Sequence, residues 1–158
     1  MDLFFLHSYV PLTKLFKSSN GALTKTPYPF VWEFTSVQEQ AANLQQMHKL
    51  LVDHAAQGHC LLKGSLAKPL VKESRAGSTV SGGMTDYIVL DLDGLDCPPI
   101  DAFLTALGLG DVSYIVQWSA SYGIENKLLR AHVFMLLDKP YAAPLLKQWL
   151  IQLNHDVP

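Results

Sequence analysis

The chain has 158 residues, 49% of them apolar and 16% charged, with a formal charge of −2 and a mean hydropathy of +0.14. That length fits one domain with a real core, and the charge supplies no global field for nucleic acid, so any such contact has to come from a local patch or from a further part of the protein. No apolar run reaches the eighteen or so residues of a membrane helix, and the opening MDLFFLHSYVPL lacks a basic n-region and a small-residue cleavage site, so the chain reads as cytoplasmic, without a membrane partner. Cys60 and Cys97 have neither a CxxC partner nor zinc spacing and read as core thiols.

In chain order, a first strand is expected at residues 3–7 and a second at FVWEF, 30–34, where aromatic and β-branched residues cluster after Pro27 and Pro29. From Thr35 the periodicity predicts a long helix, with Ser36 and Glu39 as a capping box, Val37, Ala41, Leu44, Met47 or His48, Leu51 and Ala55 on one face, and Gly58 as its stop. His48 and His54 fall on its surface or boundary. A short strand follows at 59–63, then a loop rich in small residues, then a strand at 86–92. PPIDAFLTALGLG reads as a short helix, SYIVQWSAS and LLRAHVFMLLD as strands of a hairpin at 113–121 and 128–138, and YAAPLLKQWLIQLN as a closing helix. This order predicts an α+β fold, a mainly antiparallel sheet with helices on one face, as in ferredoxin-like or RRM-like palms.

The chemistry concentrates at YIVLDLDGLD, residues 87–96. In a strand, positions i and i+2 point to the same side, so Asp91 and Asp93 project together, and two carboxylates on one face call for a positive partner. Oxygen ligands of this kind suit Mg2+ or Mn2+. The simpler alternative is a strand end running into an Asp-Gly turn. His132 sits in an otherwise apolar strand, and WSASYGIENKLLRAH places Ser119, Ser121, Lys127 and Arg130 on the same hairpin, a donor set suited to phosphate oxygens.

These two elements resemble the archaeo-eukaryotic primase superfamily, in particular the primases and primase-polymerases of plasmids, phages and integrated elements. VLDLDG resembles its strand-borne acidic pair, and SASYGIENKLLRAHVFMLLD its histidine hairpin with a longer spacer, over residues 59–158. The resemblance implies an RRM-like palm of a DNA-dependent primase or primase-polymerase, carrying out metal-dependent nucleotidyl transfer in replication of a mobile element. It implies that Asp91 and Asp93 hold Mg2+ or Mn2+ and that His132, with Ser119, Ser121, Lys127 and Arg130, contacts a nucleoside triphosphate. It further implies a single-stranded DNA template, and a helicase or C-terminal domain of the same protein as partner. For the third acid, Asp138 lies about 20 Å along the strand from His132, too far to share the metal, whereas Asp156 follows the closing helix in the right order. With Pro158 close behind Asp156, the chain reads as the N-terminal part of a longer primase.

KESRAGST offers a second surface, in which Lys72, Arg75 and Ser78 either grip template or nucleotide phosphates or form a solvated connector. Two other functions stay open. DLDG also resembles the first motif of haloacid-dehalogenase-type phosphatases, although some ninety residues precede it and no later Asp-Asp pair follows. A catalytically inactive RRM-like module for nucleic acid or a replication partner fits the acidic charge and the unsettled third acid.

Overall fold

The computed structural model describes residues 1–96, 99–124 and 128–156, with side chains described as far as Leu153. Cys97 and Lys127 lie outside the described residues, as does the side chain of Asp156. The fold is α+β, built from antiparallel sheets and three helices. The chain divides into two compact units, Met1–Gly83 and Met84–Pro158. Among the described residues no helix is long and apolar enough to cross a membrane.

The first unit opens with β1 (Asp2–His7), continues through β2 (Leu15–Ser19), β3 (Ala22–Thr26) and β4 (Thr35–Gln40), and then forms α1 (Leu44–Ala56) and β5 (Cys60–Leu62). β1 is the middle strand, in the order β4-β1-β5, and buries Leu3, Phe5 and Leu6. β2 and β3 make a separate hairpin around Asn20-Gly21, both at positive φ, the conformation a tight two-residue turn requires. That hairpin was not expected from the sequence.

Two expectations are corrected here. The segment 30–34 is not a strand; only Phe34 bridges, to Glu73. The segment 35–40, expected to open the helix, is instead β4, six residues in register with β1 from His7↔Thr35 to Asp2↔Gln40. The proposed capping hydroxyl is committed elsewhere, since Ser36 Oγ accepts from the Leu70 amide at 2.9 Å. Non-local pairing therefore outweighs the local signal. The helix starts later, where Asn43 accepts from the Gln46 amide and the Gln46 side chain accepts from the Ala42 amide, each at 2.9 Å. It ends as expected at Gly58, whose positive φ and closeness to Pro11, 2.6 Å from where a Cβ would stand, leave no room for a side chain.

His54, on α1, is buried rather than at a boundary. Its ring lies parallel to Phe5 at 3.7 Å, its Nδ1 is 2.8 Å from His59 Nδ1, and its Nε2 is 3.7 Å from Glu39. His7, on β1, stacks on His59 at 4.8 Å. Burial, with His7 and His54 alongside, holds His59 below the usual histidine range. The unfolded chain therefore takes up a proton at higher pH than the folded one, and stability is lost as pH falls below about 6.5. Thermal melts from pH 8 to 5 should show a falling Tm through that window, and His59→Gln should flatten part of the fall.

The second unit comprises β6 (Met84–Leu95), α2 (Ile100–Ala106), β7 (Tyr114–Trp118), β8 (Leu129–Ala142) and α3 (Ala143–Asp156). The sheet order is β6-β8-β7, with β8 antiparallel to both neighbours. β6 and β7 therefore run parallel, joined through α2, with β8 inserted between them: a split β-α-β arrangement of the kind a ferredoxin-like palm contains. β6 is thus an edge strand of this sheet and β8 the middle one. Ile88, Leu90 and Leu92 of β6 and Leu129, Ala131, Val133 and Met135 of β8 form one apolar face. Ile100 and Leu104 of α2, with Leu146 and Leu150 of α3, pack on it, so the helices share that side.

Candidate functional site on the open face of the second sheet

Alternation along β6 and β8 assigns every second residue to the helix-covered core and its neighbours to the opposite face. Leu90 and Leu92 are buried, while the side chains of Asp91 and Asp93 are 58% and 77% exposed. The two acids therefore share one face and are exposed on it, as their spacing predicts.

The register then brings their partners alongside. Asp91 lies opposite His132 and Asp93 opposite Arg130 on β8, while Gln117 of β7 lies opposite His132 from the other side. Just past β7, the Ser119 amide donates to the Arg130 carbonyl at 3.0 Å and extends the ladder by one pair. Six polar residues thus form two rows of three across the strands: Asp91, His132 and Gln117, then Asp93, Arg130 and Ser119. His132 Nε2 stands 3.2 Å from Asp91 and its Nδ1 3.3 Å from Gln117 Oε1, so both ring nitrogens face side-chain oxygens. Arg130 donates through Nη1 to Asp93 at 2.5 Å.

Arg130 is only 22% exposed, and its buried Nε has no hydrogen-bond partner among the described residues. Its donors are not all used by Asp93. Beneath it, Gly94 has φ +79°, and an added Cβ would meet Arg130 Nη2 at 3.4 Å. The β6–β8 register shifts between Asp93 and Leu95, so this glycine allows the bulge that aims Asp93 at Arg130. Gly94→Ala should cost about 1–2 kcal/mol from the left-handed backbone alone, read as a lower Tm.

Ser121, expected to contact a nucleotide, is 2% exposed, and its hydroxyl lies 3.1 Å from that of Ser119. It holds Ser119 in place and does not reach the open face. Trp118 and Tyr122 stack at 4.3 Å at the start of the same hairpin. Lys72, Arg75 and Ser78 belong to the first unit. Ser78 is buried there, and its hydroxyl is directed to the Ser74 carbonyl at 3.4 Å, so it fastens the loop and offers no surface to phosphate. Gln117 was not anticipated. The signal was present in QWS, where Gln117 and Ser119 share the parity that faces His132 and Arg130.

Among the described residues no group of three or more His, Cys, Asp or Glu side chains is arranged to hold a metal ion. Mg2+ in phosphoryl-transfer sites, however, keeps several waters and takes one or two carboxylates together with substrate phosphates. Asp91 and Asp93, exposed on one face, are two carboxylates of the kind that donor set uses. No family model, curated protein or solved structure matched the chain.

Proposed function

We propose that the second unit is the catalytic palm of a DNA primase or primase-polymerase, acting in replication of a mobile element and using nucleoside triphosphates on a single-stranded DNA template. The observation that carries the reading is the register: Asp91 beside His132 and Asp93 beside Arg130, all facing away from the helices. Asp93 and Arg130, 37 residues apart in sequence, are adjacent in space, as are Asp91 and His132, the proximity nucleotidyl transfer needs.

Asp91 and Asp93 would hold Mg2+ or Mn2+, which when bound stabilises charge on the attacking oxygen and on the pyrophosphate. Arg130 and His132 stand ready as donors to phosphate oxygens, with Gln117 and Ser119 completing the rows. In the free protein Arg130 and His132 lie against the two acids across the strands. Arrival of a polyphosphate would exchange each cross-strand pair for two others, with Arg130 and His132 turned to phosphate oxygens and Asp91 and Asp93 left to hold the metal. That exchange couples nucleotide and metal, so each raises the affinity for the other.

Calorimetric titration of a nucleoside triphosphate with and without Mn2+ tests the coupling. Binding at least tenfold tighter with Mn2+, and weakened in His132→Ala at unchanged Tm, is expected. The same tight cross-strand pairs favour a second reading, a non-catalytic module in which the acids serve only to balance Arg130 and His132. Nucleotide binding that ignores Mn2+, or none, would replace the primase reading with that one.

A further inference from the structure

The segment PYPFVWEF folds neither as strand nor as helix, because Pro27 and Pro29 remove ladder donors and its backbone pairing is the single bridge Phe34↔Glu73, closed by amide bonds of 2.9 and 3.2 Å. Phe34 and Val31 turn toward the core of the first unit. Phe30 and Trp32 do the opposite: they are 77% and 70% exposed, in edge-to-face contact at 4.9 Å. Two adjacent large rings left in water are an unusual use of apolar surface and mark a contact site.

The bridge also sets what lies beside them. At the bridge Phe34 faces Glu73, and one residue on, the Lys72 amide donates to Thr35 Oγ1 at 3.2 Å. Arg75 extends over the Phe34 ring at 5.6 Å, and both cations are exposed. Charge is divided in the same way along the chain. Met1–Gly83 holds eight Lys and Arg against five Asp and Glu, a formal +3, whereas Met84–Pro158 holds four against nine, a formal −5. The overall −2 conceals a basic first unit.

We propose that Phe30, Trp32, Lys72 and Arg75 form a binding surface for single-stranded nucleic acid, bases stacking on the two rings and phosphates meeting the two cations. Exposed aromatic faces interleaved with cations bind single strands with little sequence preference. A duplex, whose bases are already stacked, offers the rings nothing. As a template surface for primer synthesis the assignment rests on the function proposed above; as a binding site it stands on its own residues.

Fluorescence anisotropy of a labelled twelve-nucleotide oligo-dT against the full chain, without metal or nucleotide, tests it. Salt-dependent binding is expected, weakened about tenfold by Phe30→Ala and by Trp32→Ala. Lys72→Ala and Arg75→Ala should each make the dependence on salt shallower. Trp32 emission should be quenched on binding, and a duplex of the same length should compete poorly. Asp91→Asn should bind the oligonucleotide as the parent does, so loss of the nucleotide site and loss of this surface give separate signatures. No binding, binding indifferent to both aromatic substitutions, or a ring-dependent doubling of mass in place of oligonucleotide binding would overturn the proposal.

Discussion

Asp91→Asn and Asp93→Asn should each lower metal-dependent nucleotidyl transfer by about three orders of magnitude, about 4 kcal/mol of transition-state stabilisation, with Tm nearly unchanged. An amide keeps the shape of the side chain and removes the charge a divalent cation needs. The folded state loses little, because both carboxylates are more than half exposed, where an ion pair is worth about 1 kcal/mol or less. Primer-extension rates and melts on the same preparations measure both effects. Substitutions that lower Tm and leave transfer intact would make the acids structural partners of Arg130 and His132.

Leu104→Ala should have the largest effect on stability. Leu104 is 1% exposed, in the cluster that joins α2 to the apolar face of β6 and β8. Removing three carbons there forfeits their burial and leaves a cavity, at a cost of about 3 kcal/mol. Urea unfolding followed by far-ultraviolet dichroism should show the midpoint fall with an unchanged slope. A cost below about 1 kcal/mol would mean that α2 is held by other contacts.

How far the sequence could be read depended on whether the deciding interactions were local. The period of two in VLDLD, the proline before IDAFLTA and the apolar runs flanking the second hairpin act within a few residues, and the elements of the second unit follow them closely. Residues 35–40 show the limit: a capping pattern was visible, but pairing with β1 some thirty residues earlier decided the conformation. The site follows the same division. That Asp91 and Asp93 share a face was legible from spacing, whereas their pairing with His132 and Arg130 depended on which strand lies beside which, and Gln117 entered only through the register of β7. Ser78 and Ser121 looked like surface donors by residue type, yet burial gave both a supporting role. The outward turn of Phe30 and Trp32 was hidden because a run of aromatic residues reads as a strand whichever way the rings face.

β8 carries two messages on alternate letters. Arg130 and His132 face the acids, while Leu129, Ala131 and Val133 fill the core. A single inserted or deleted residue between Leu129 and Met135 would exchange the two sets for part of the strand, drawing a guanidinium and an imidazole into the apolar layer and turning valine and alanine out. Natural variation in this protein should therefore accumulate length changes away from this stretch, which can change its letters only in place: recognition and solidity here are written in one reading frame.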